Sequence, residues 1–280
     1  MYGNATTDHV RYYLQLRYRL LPSIIGAVAQ ATDSGFPLAA RLDLFWPTHA
    51  EASGNDQYLF LNDSLVAPVW NTTLNTTSRT VWIPPGEWVD AWNGSRVMGP
   101  ATRLVSQPYE RIPLWHRAGG FVIVSEDQQA QRVMEQDWSH LTIEAFPASC
   151  PREFHRTTRH LVERDYATRT QATLLQHPAP LPTESCNSNL SISLGGGVRR
   201  AWTLRFHLAV AQQVSCARVD GIPAKFATIP AQGAARFHPL GGRGDGAAPG
   251  SGGVAELTLL AAPSARRVLL TLGERAAPPC

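Results

Sequence analysis

The order of apolar and polar residues divides the chain into a helical opening and a long β-rich remainder. From Thr7 to Ala31, the residues Val10, Tyr13, Leu14, Leu20, Leu21, Ile24, Ile25 and Val28 recur at helical spacing, which gathers them on one stripe of a 3.6-residue helix. Thr7 or Asp8 supplies an N-cap, and Gly35 stands beyond the far end. Pro22 lies inside this run and predicts a kink or break, because proline lacks a backbone donor and clashes with the preceding turn. Strict alternation of Leu38, Ala40, Leu42, Leu44 and Trp46 then predicts a strand buried on at least one face.

Beyond Glu51 the pattern changes to short apolar runs separated by turn residues. Strands are predicted at 65–70, 80–83, 88–92, 112–115 and 121–124, and again at 141–146, 190–194, 202–208, 214–219, 254–260 and 268–272. Pro84-Pro85-Gly86 reads as a break, and Asn93-Gly94 as a two-residue hairpin turn whose positions tolerate positive φ. The polar stretch Ser125 to Asp137 reads as a connector between two all-β units, and Gly241 to Gly253 as a glycine-rich loop in the second. The Arg243-Gly244-Asp245 triplet in that loop carries little weight, since glycine-rich segments produce such triplets readily.

The chain has 280 residues, 44% of them hydrophobic, enough for two packed cores. Its net charge of +3 is spread along the chain rather than gathered into Lys/Arg runs, which argues against a nucleic-acid partner. No apolar stretch is long enough to span a bilayer, and Met1 to Val10 has neither the basic nor the apolar part of an export signal. The asparagines point the other way. Six of the eight open an Asn-x-Ser/Thr triplet, namely Asn4, Asn62, Asn71, Asn75, Asn93 and Asn189, where chance would give about one. These six are the candidate N-glycosylation sites, and they suggest the secretory pathway, with a lysosomal or extracellular destination. Cys150, Cys186, Cys216 and Cys280 all lie in the second half, with no CxxC spacing. One or two disulfides and unpaired thiols both remain open, and four cysteines allow three full pairings.

Several phrases resemble, in order, glycoside hydrolase family 31, the α-glucosidase-like family. Leu16-Arg17-Tyr18-Arg19-Leu20-Leu21-Pro22 is similar to the RYxLLP helix near the end of that family's catalytic (β/α)8 barrel, and Arg41 sits where its last barrel strand usually carries an arginine. Asp56-Gln57-Tyr58-Leu59-Phe60-Leu61 followed by Asn62-Asp63-Ser64-Leu65-Val66-Ala67-Pro68-Val69 resembles DxQYxLGxxLLVAPV, with Asn62 in place of the usual Gly. The segments 81–94 and 111–120 resemble the YLPxGxWxDxWTG and IPVFxRAG strings. The likeness is good from about Arg11 to Val124. Farther on, 141–147 fits the first strand of a distal β-sandwich, but the usual YEDDG string does not follow.

The resemblance implies a mainly β chain: two β-sandwich domains preceded by a helix and strand left from the end of a (β/α)8 barrel. The expected division is 1–50 for that terminal helix and strand, 51–125 for a proximal sandwich, 126–140 for a connector and 141–280 for a distal sandwich. Helix and strand residues shaped to meet a barrel would lose roughly 1.5–3 kcal/mol per large side chain left uncovered. They are therefore expected to fold onto the proximal sandwich or to promote aggregation.

Retaining hydrolysis of a glycosidic bond needs two carboxyl groups about 5–5.5 Å apart. The family's nucleophile, in a Trp-x-Asp-Met type string, and its acid/base, after an Arg-Trp segment, have no counterpart here, and neither has its substrate-binding histidine; His9 falls at the helix start. Asp56, Asp63, Asp90 and Glu110 lie within matched motifs, and each has a structural explanation: Asp56 and Asp63 flank turns, Asp90 alternates with tryptophans, and Glu110 neighbours Arg111. His116 and Arg117 belong to a loop that, by the resemblance, props the barrel. No catalytic residue, metal site or cofactor site is assigned, and substrate-binding residues are left unassigned. Carbohydrate is then a partner only through a complete enzyme. Trp70, Trp82, Trp88, Trp92 and Trp115 keep a second reading open, a sugar-binding or structural β-sandwich protein, although Trp88 and Trp92 share a face as core residues would.

Overall fold

The structure, a computed structural model, describes residues 4–69, 78–108, 111–127, 130, 132–150, 156–162, 170–178, 186, 188–196, 198–209, 212–225, 227–229, 251–259 and 266–273. The helical opening is two helices, α1 (Asn4–Arg19) and α2 (Leu21–Ser34). The break falls where Pro22 predicts it, at the first turn of α2. Pro22 has no N–H to give the Tyr18 carbonyl, which accepts instead from Gln136 Nε2 at 3.0 Å. Gly35, at φ 75°, closes α2 in the left-handed region and donates to the Ala31 carbonyl.

The alternating run after it departs from expectation. Only β1 (Ala39–Ala40) is extended, and Leu42–Leu44 forms a 3-10 turn. β2 (Tyr58–Phe60) offers β1 two partners, Leu59 and Phe60. Past Ala40 the chain tightens instead: the Arg41 side chain clasps Asp43, and Phe45 and Trp46 both donate to the Leu42 carbonyl. Leu42 still reaches the core while Leu44 faces solvent, so the predicted alternation in burial ends at Leu42.

Three sheets follow. The first has the order β1-β2-β3-β6-β4-β5, where β3 is Ser64–Val66, β4 Ser78–Asp90, β5 Arg96–Ser106 and β6 Leu114–Arg117. Pro84-Pro85-Gly86 does not break the chain, as the sequence led us to expect. β4 runs through it as a bulge, its register with β5 shifting between Ile83 and Gly86, which takes φ 110°. Opposite lies Gly99, where a Cβ would stand 1.9 Å from the Pro84 carbonyl oxygen. The Asn93-Gly94 hairpin forms with a wider turn than the predicted two residues, because Asp90 Oδ1 accepts from the backbone N–H groups of both Trp92 and Asn93.

The second unit contains two sheets face to face. One orders β15-β16-β12-β8-β7 and the other β14-β13-β17-β11-β10-β9. Their strands are β7 (Gly120–Ser125), β8 (His140–Phe146), β9 (Arg156–Val162), β10 (Thr170–Pro178), β11 (Ser188–Gly195), β12 (Ala201–Ala209), β13 (Gln213–Val219), β14 (Ile222–Pro223), β15 (Ala227–Ile229), β16 (Ser251–Leu259) and β17 (Arg266–Gly273). β7 pairs with β8, so the last strand before the connector belongs to this sheet. Ile143, Leu174, Ile192, Leu204 and Leu270 meet between the two sheets in the largest apolar cluster. Cys150 is bonded to Cys186, tying the end of β8 to the start of β11, and Cys216 is disulfide-bonded as well. Arg243-Gly244-Asp245, Trp70, Glu110 and Cys280 lie outside the described residues.

Both helices are folded onto the sheets. Leu16, Ile24 and Ala27 pack with Leu61, Val89, Val122 and Val124. Ser23 Oγ, fully buried, donates to the Ile123 carbonyl at 2.9 Å and accepts from its N–H at 2.7 Å. Tyr13 Oη accepts from the Ile112 N–H.

Candidate functional site

Among the described acids of the matched motifs, Asp56 and Asp90 are held by structural partners and Asp63 is buried. Asp56 Oδ2 pairs with Arg79 Nη2 at 2.5 Å. Asp63 is buried in the β2–β3 turn, its carbonyl accepting from the Arg117 N–H at 2.7 Å. Asp90 shapes the turn after β4 as described above. Arg41 is exposed and engaged with Asp43 and Asn55, and His9 is half-exposed on α1. Arg117 lies over the Trp46 ring at 5.4 Å. Trp82, Trp88, Trp92 and Trp115 are all buried, which takes their faces out of reach of an external sugar.

Sequence reasoning missed a buried polar chain that joins the two β units. Ser64 and His116 are directly paired across β3 and β6, with Ser64 Oγ 3.0 Å from His116 Nδ1. The His116 ring stacks on Phe146 at 4.2 Å between centroids, and Phe146 stacks in turn on His207 at 4.8 Å. His207 Nε2 lies 2.8 Å from Glu144 Oε2. Parallel pairing of β12 with β8 sets Arg205 opposite Glu144, and antiparallel pairing with β16 sets it opposite Glu256. Arg205 reaches Glu144, Glu256 and Glu126, and Glu126 also takes two bonds from Arg19 of α1. The only signal in the sequence was polar residues inside apolar strands, Glu144 between Ile143 and Ala145, and Arg205 and His207 around Phe206.

Electrostatics follow from this burial. Loss of solvent pushes the His116 pKa down to about 3, with the nearby His207 adding to the shift and Glu144 opposing it. Glu144 feels the same desolvation, which by itself would raise it, yet the hydrogen bond and charge of His207 together with Arg205 bring it below the ordinary carboxylate range. Arg205 is desolvated too, and Glu144, Glu256 and Glu126 nevertheless hold its pKa above the usual value. A neutral imidazole beside a hydroxyl has the composition of a base and a nucleophile. Ser64, His116 and Phe146 are each no more than 3% exposed, so the stack serves packing and cannot meet a substrate.

The candidate glycosylation sites are scattered. Asn62, at φ 66°, is exposed in the β2–β3 turn; Asn93 is half-buried in the β4–β5 turn, and Asn189 half-buried on β11. Asn4 opens α1, and Asn71 and Asn75 lie outside the described residues. Among the described residues, one surface cleft of about 390 Å³ runs along Val10, Leu14 and Tyr18 of α1, and another of about 460 Å³ lies over β10, β11 and β17. Among the described residues no group of His, Cys, Asp and Glu could hold a metal ion, and no helix is long and apolar enough to cross a membrane.

This arrangement of helices and sheets recurs in enzymes that act on carbohydrate. A family 31 dextranase from Flavobacterium johnsoniae superimposes with a TM-score of 0.71 over 96% of this chain and 33% of its own, at 16% identity. The catalytic subunit in an ER glucosidase II complex superimposes with a TM-score of 0.70 at 15% identity. Residues 35–122 match the domain described as the glycosyl hydrolase family 31 C-terminal domain. Alpha-glucosidase 2 of Bacillus thermoamyloliquefaciens is 28% identical over 149 residues, 53% of this chain and 18% of the relative. The Glucosidase 2 alpha subunit of Schizosaccharomyces pombe is 29% identical over 147 residues, 51% of this chain and 16% of the relative. Residues 35–122 are thus of the glycoside hydrolase family 31 C-terminal type, and the chain spans less than a fifth of the length of these curated relatives.

Proposed function

We propose that this chain is the non-catalytic C-terminal part of a family 31 enzyme that hydrolyses α-linked glucosides, and that its work there is to brace the barrel and shape the entrance to the sugar site. The observation that carries the reading is the commitment of the Asp56 and Asp90 carboxylates to structural bonds, together with the burial of Asp63. The division 1–50, 51–125, 126–140 and 141–280 belongs to the same reading, with β7 at the end of the second segment joining the sheet of the last. So does a location in the secretory pathway, which the six glycosylation triplets and the likeness to an ER glucosidase support. Val10 and Leu14 on α1 and Val28 on α2 remain more than 45% exposed, an apolar row that fits a barrel surface. The second reading, a sugar-binding or structural sandwich, is less favoured because the tryptophans are buried.

Immunodetection with an antibody against residues 78–108 tests the proposal in the source cells. The expected band is far larger than 30.6 kDa, at the size of a complete family 31 enzyme. A species of 30.6 kDa alone would count against it. A glycan-binding screen of the purified chain decides the second reading, with no retention expected.

A further inference from the structure

We infer that Asn189 carries an N-linked oligosaccharide whose first sugars lie along the outer face of the β9-to-β14 sheet. The inference rests on the secretory reading. On β11, Leu190, Ile192 and Leu194 point into the core, each at most 4% exposed, so Asn189, Ser191, Ser193 and Gly195 share the opposite face. The triplet Asn189-Leu190-Ser191 therefore places its amide and hydroxyl on one face, Asn189 half-buried and Ser191 6% exposed, while its middle residue anchors the sheet. Asn189 Oδ1 accepts from Thr271 Oγ1 at 3.3 Å, whereas Nδ2, the atom that takes the sugar, has no hydrogen-bond partner among the described residues. The flanking strands place His177 and Thr271 opposite it.

A bed for the sugars lies on the same face. Leu175 and Leu269, both half-buried, flank Ser191 across the ladder and offer apolar surface to a ring. Roughly 13 Å from Asn189, four residues along at strand rise, the cleft of about 460 Å³ opens beside Ser193 and Gly195. A Cβ at Gly195 would meet nothing within 4 Å. Gln171, Thr173, Asp220 and Arg267 surround this space with amide, hydroxyl, carboxylate and guanidinium groups suited to a polyol. Asp220 takes φ 52° and is fixed there by the Arg267 N–H and by Arg266 Nε.

The modification uses an oligosaccharide diphosphate donor supplied by the host's glycosylation machinery. The Asn189 Nδ2–C1 bond forms, the C1–O bond to the diphosphate breaks, and the amide proton leaves with the diphosphate.

The whole chain is secreted from a eukaryotic host behind a cleavable signal, and enzymatic deglycosylation in heavy-oxygen water marks each occupied asparagine for peptide mass spectrometry. Asn189 is expected to be marked, and both N189Q and S191A are expected to lose one glycan's shift on a gel. Amide exchange in β10, β11 and β17 is expected to be about threefold or more slower in the glycosylated chain than after deglycosylation, the scale of a local-opening effect of somewhat under 1 kcal/mol. Marked asparagines elsewhere with Asn189 unmarked would overturn the inference and leave the secretory reading standing. No marked asparagine at all would overturn both. Equal exchange with and without the glycan would overturn the bed on the sheet face.

Discussion

His116 is the clearest case of a residue whose chemistry is set by its surroundings. Its folded pKa, about 3, lies below the ordinary value of 6.5, so the unfolded chain takes up the proton first as pH falls. The stabilisation from burying a neutral ring is complete above 6.5 and is lost progressively below it, at up to ~1.4 kcal/mol per pH unit. The Glu144 shift begins to act only below the ordinary 4.5, which leaves a window between the two values for His116. Chemical denaturation across that window should show a falling stability in the parent chain and a flatter profile in H116Q; equal slopes would refute the assignment. Gly99 is a second residue-scale case. Ala there puts a Cβ into the Pro84 carbonyl, and a thermal melt should show a loss of roughly 2 kcal/mol or more. None of this was visible beforehand, since neither the bulge opposite Gly99 nor the stacking of His116 on Phe146 leaves a trace in local pattern.

Elements were legible where apolar residues alternate along the sequence. β11, β12 and β17 do so and lie close to their predicted spans, although β12 is buried on both faces, and the Pro22 break follows from covalent structure alone. β5 was missed because Gly99-Pro100 interrupts its run and its apolar residues are split between the half-buried Val97 and Val105 and the exposed Met98 and Leu104, and β9 and β10 because their runs are rich in Thr, Gln, Arg and His. The alternating run after Ala40 misled because a tight turn takes Leu42 into the core and leaves Leu44 exposed without extending the chain. What binds the elements together is polar. Replacing Glu144 by Ala leaves Arg205 and His207 short of their buried partner and should cost about 3 kcal/mol or more, read from denaturant unfolding. A change within a few tenths of a kcal/mol would mean that Glu126 and Glu256 carry the network. Ser23→Ala orphans both backbone groups of Ile123. It should cost about 1–3 kcal/mol and speed amide exchange in α2 and β7 ahead of the rest of the molecule.

At the scale of the whole molecule, the sequence resemblance already named the family and the β-rich architecture, and the structure adds how the helical opening is secured to it. α1 and α2 fold onto the sheets through Ser23, Tyr13 and the Arg19–Glu126 pair, while Val10, Leu14 and Val28 stay uncovered. A chain built in this way can be stable and still present apolar surface on its helices. On the proposed reading its acids brace turns and strands, and the cleavage of sugar bonds falls to residues elsewhere in a complete enzyme. Turnover of an aryl α-glucoside by the purified chain, with D56N, D63N and D90N variants alongside, tests that division of labour most directly. The account predicts no release of the aryl alcohol above the buffer rate from any of them. Release by the parent chain that one of these substitutions abolishes would contradict it.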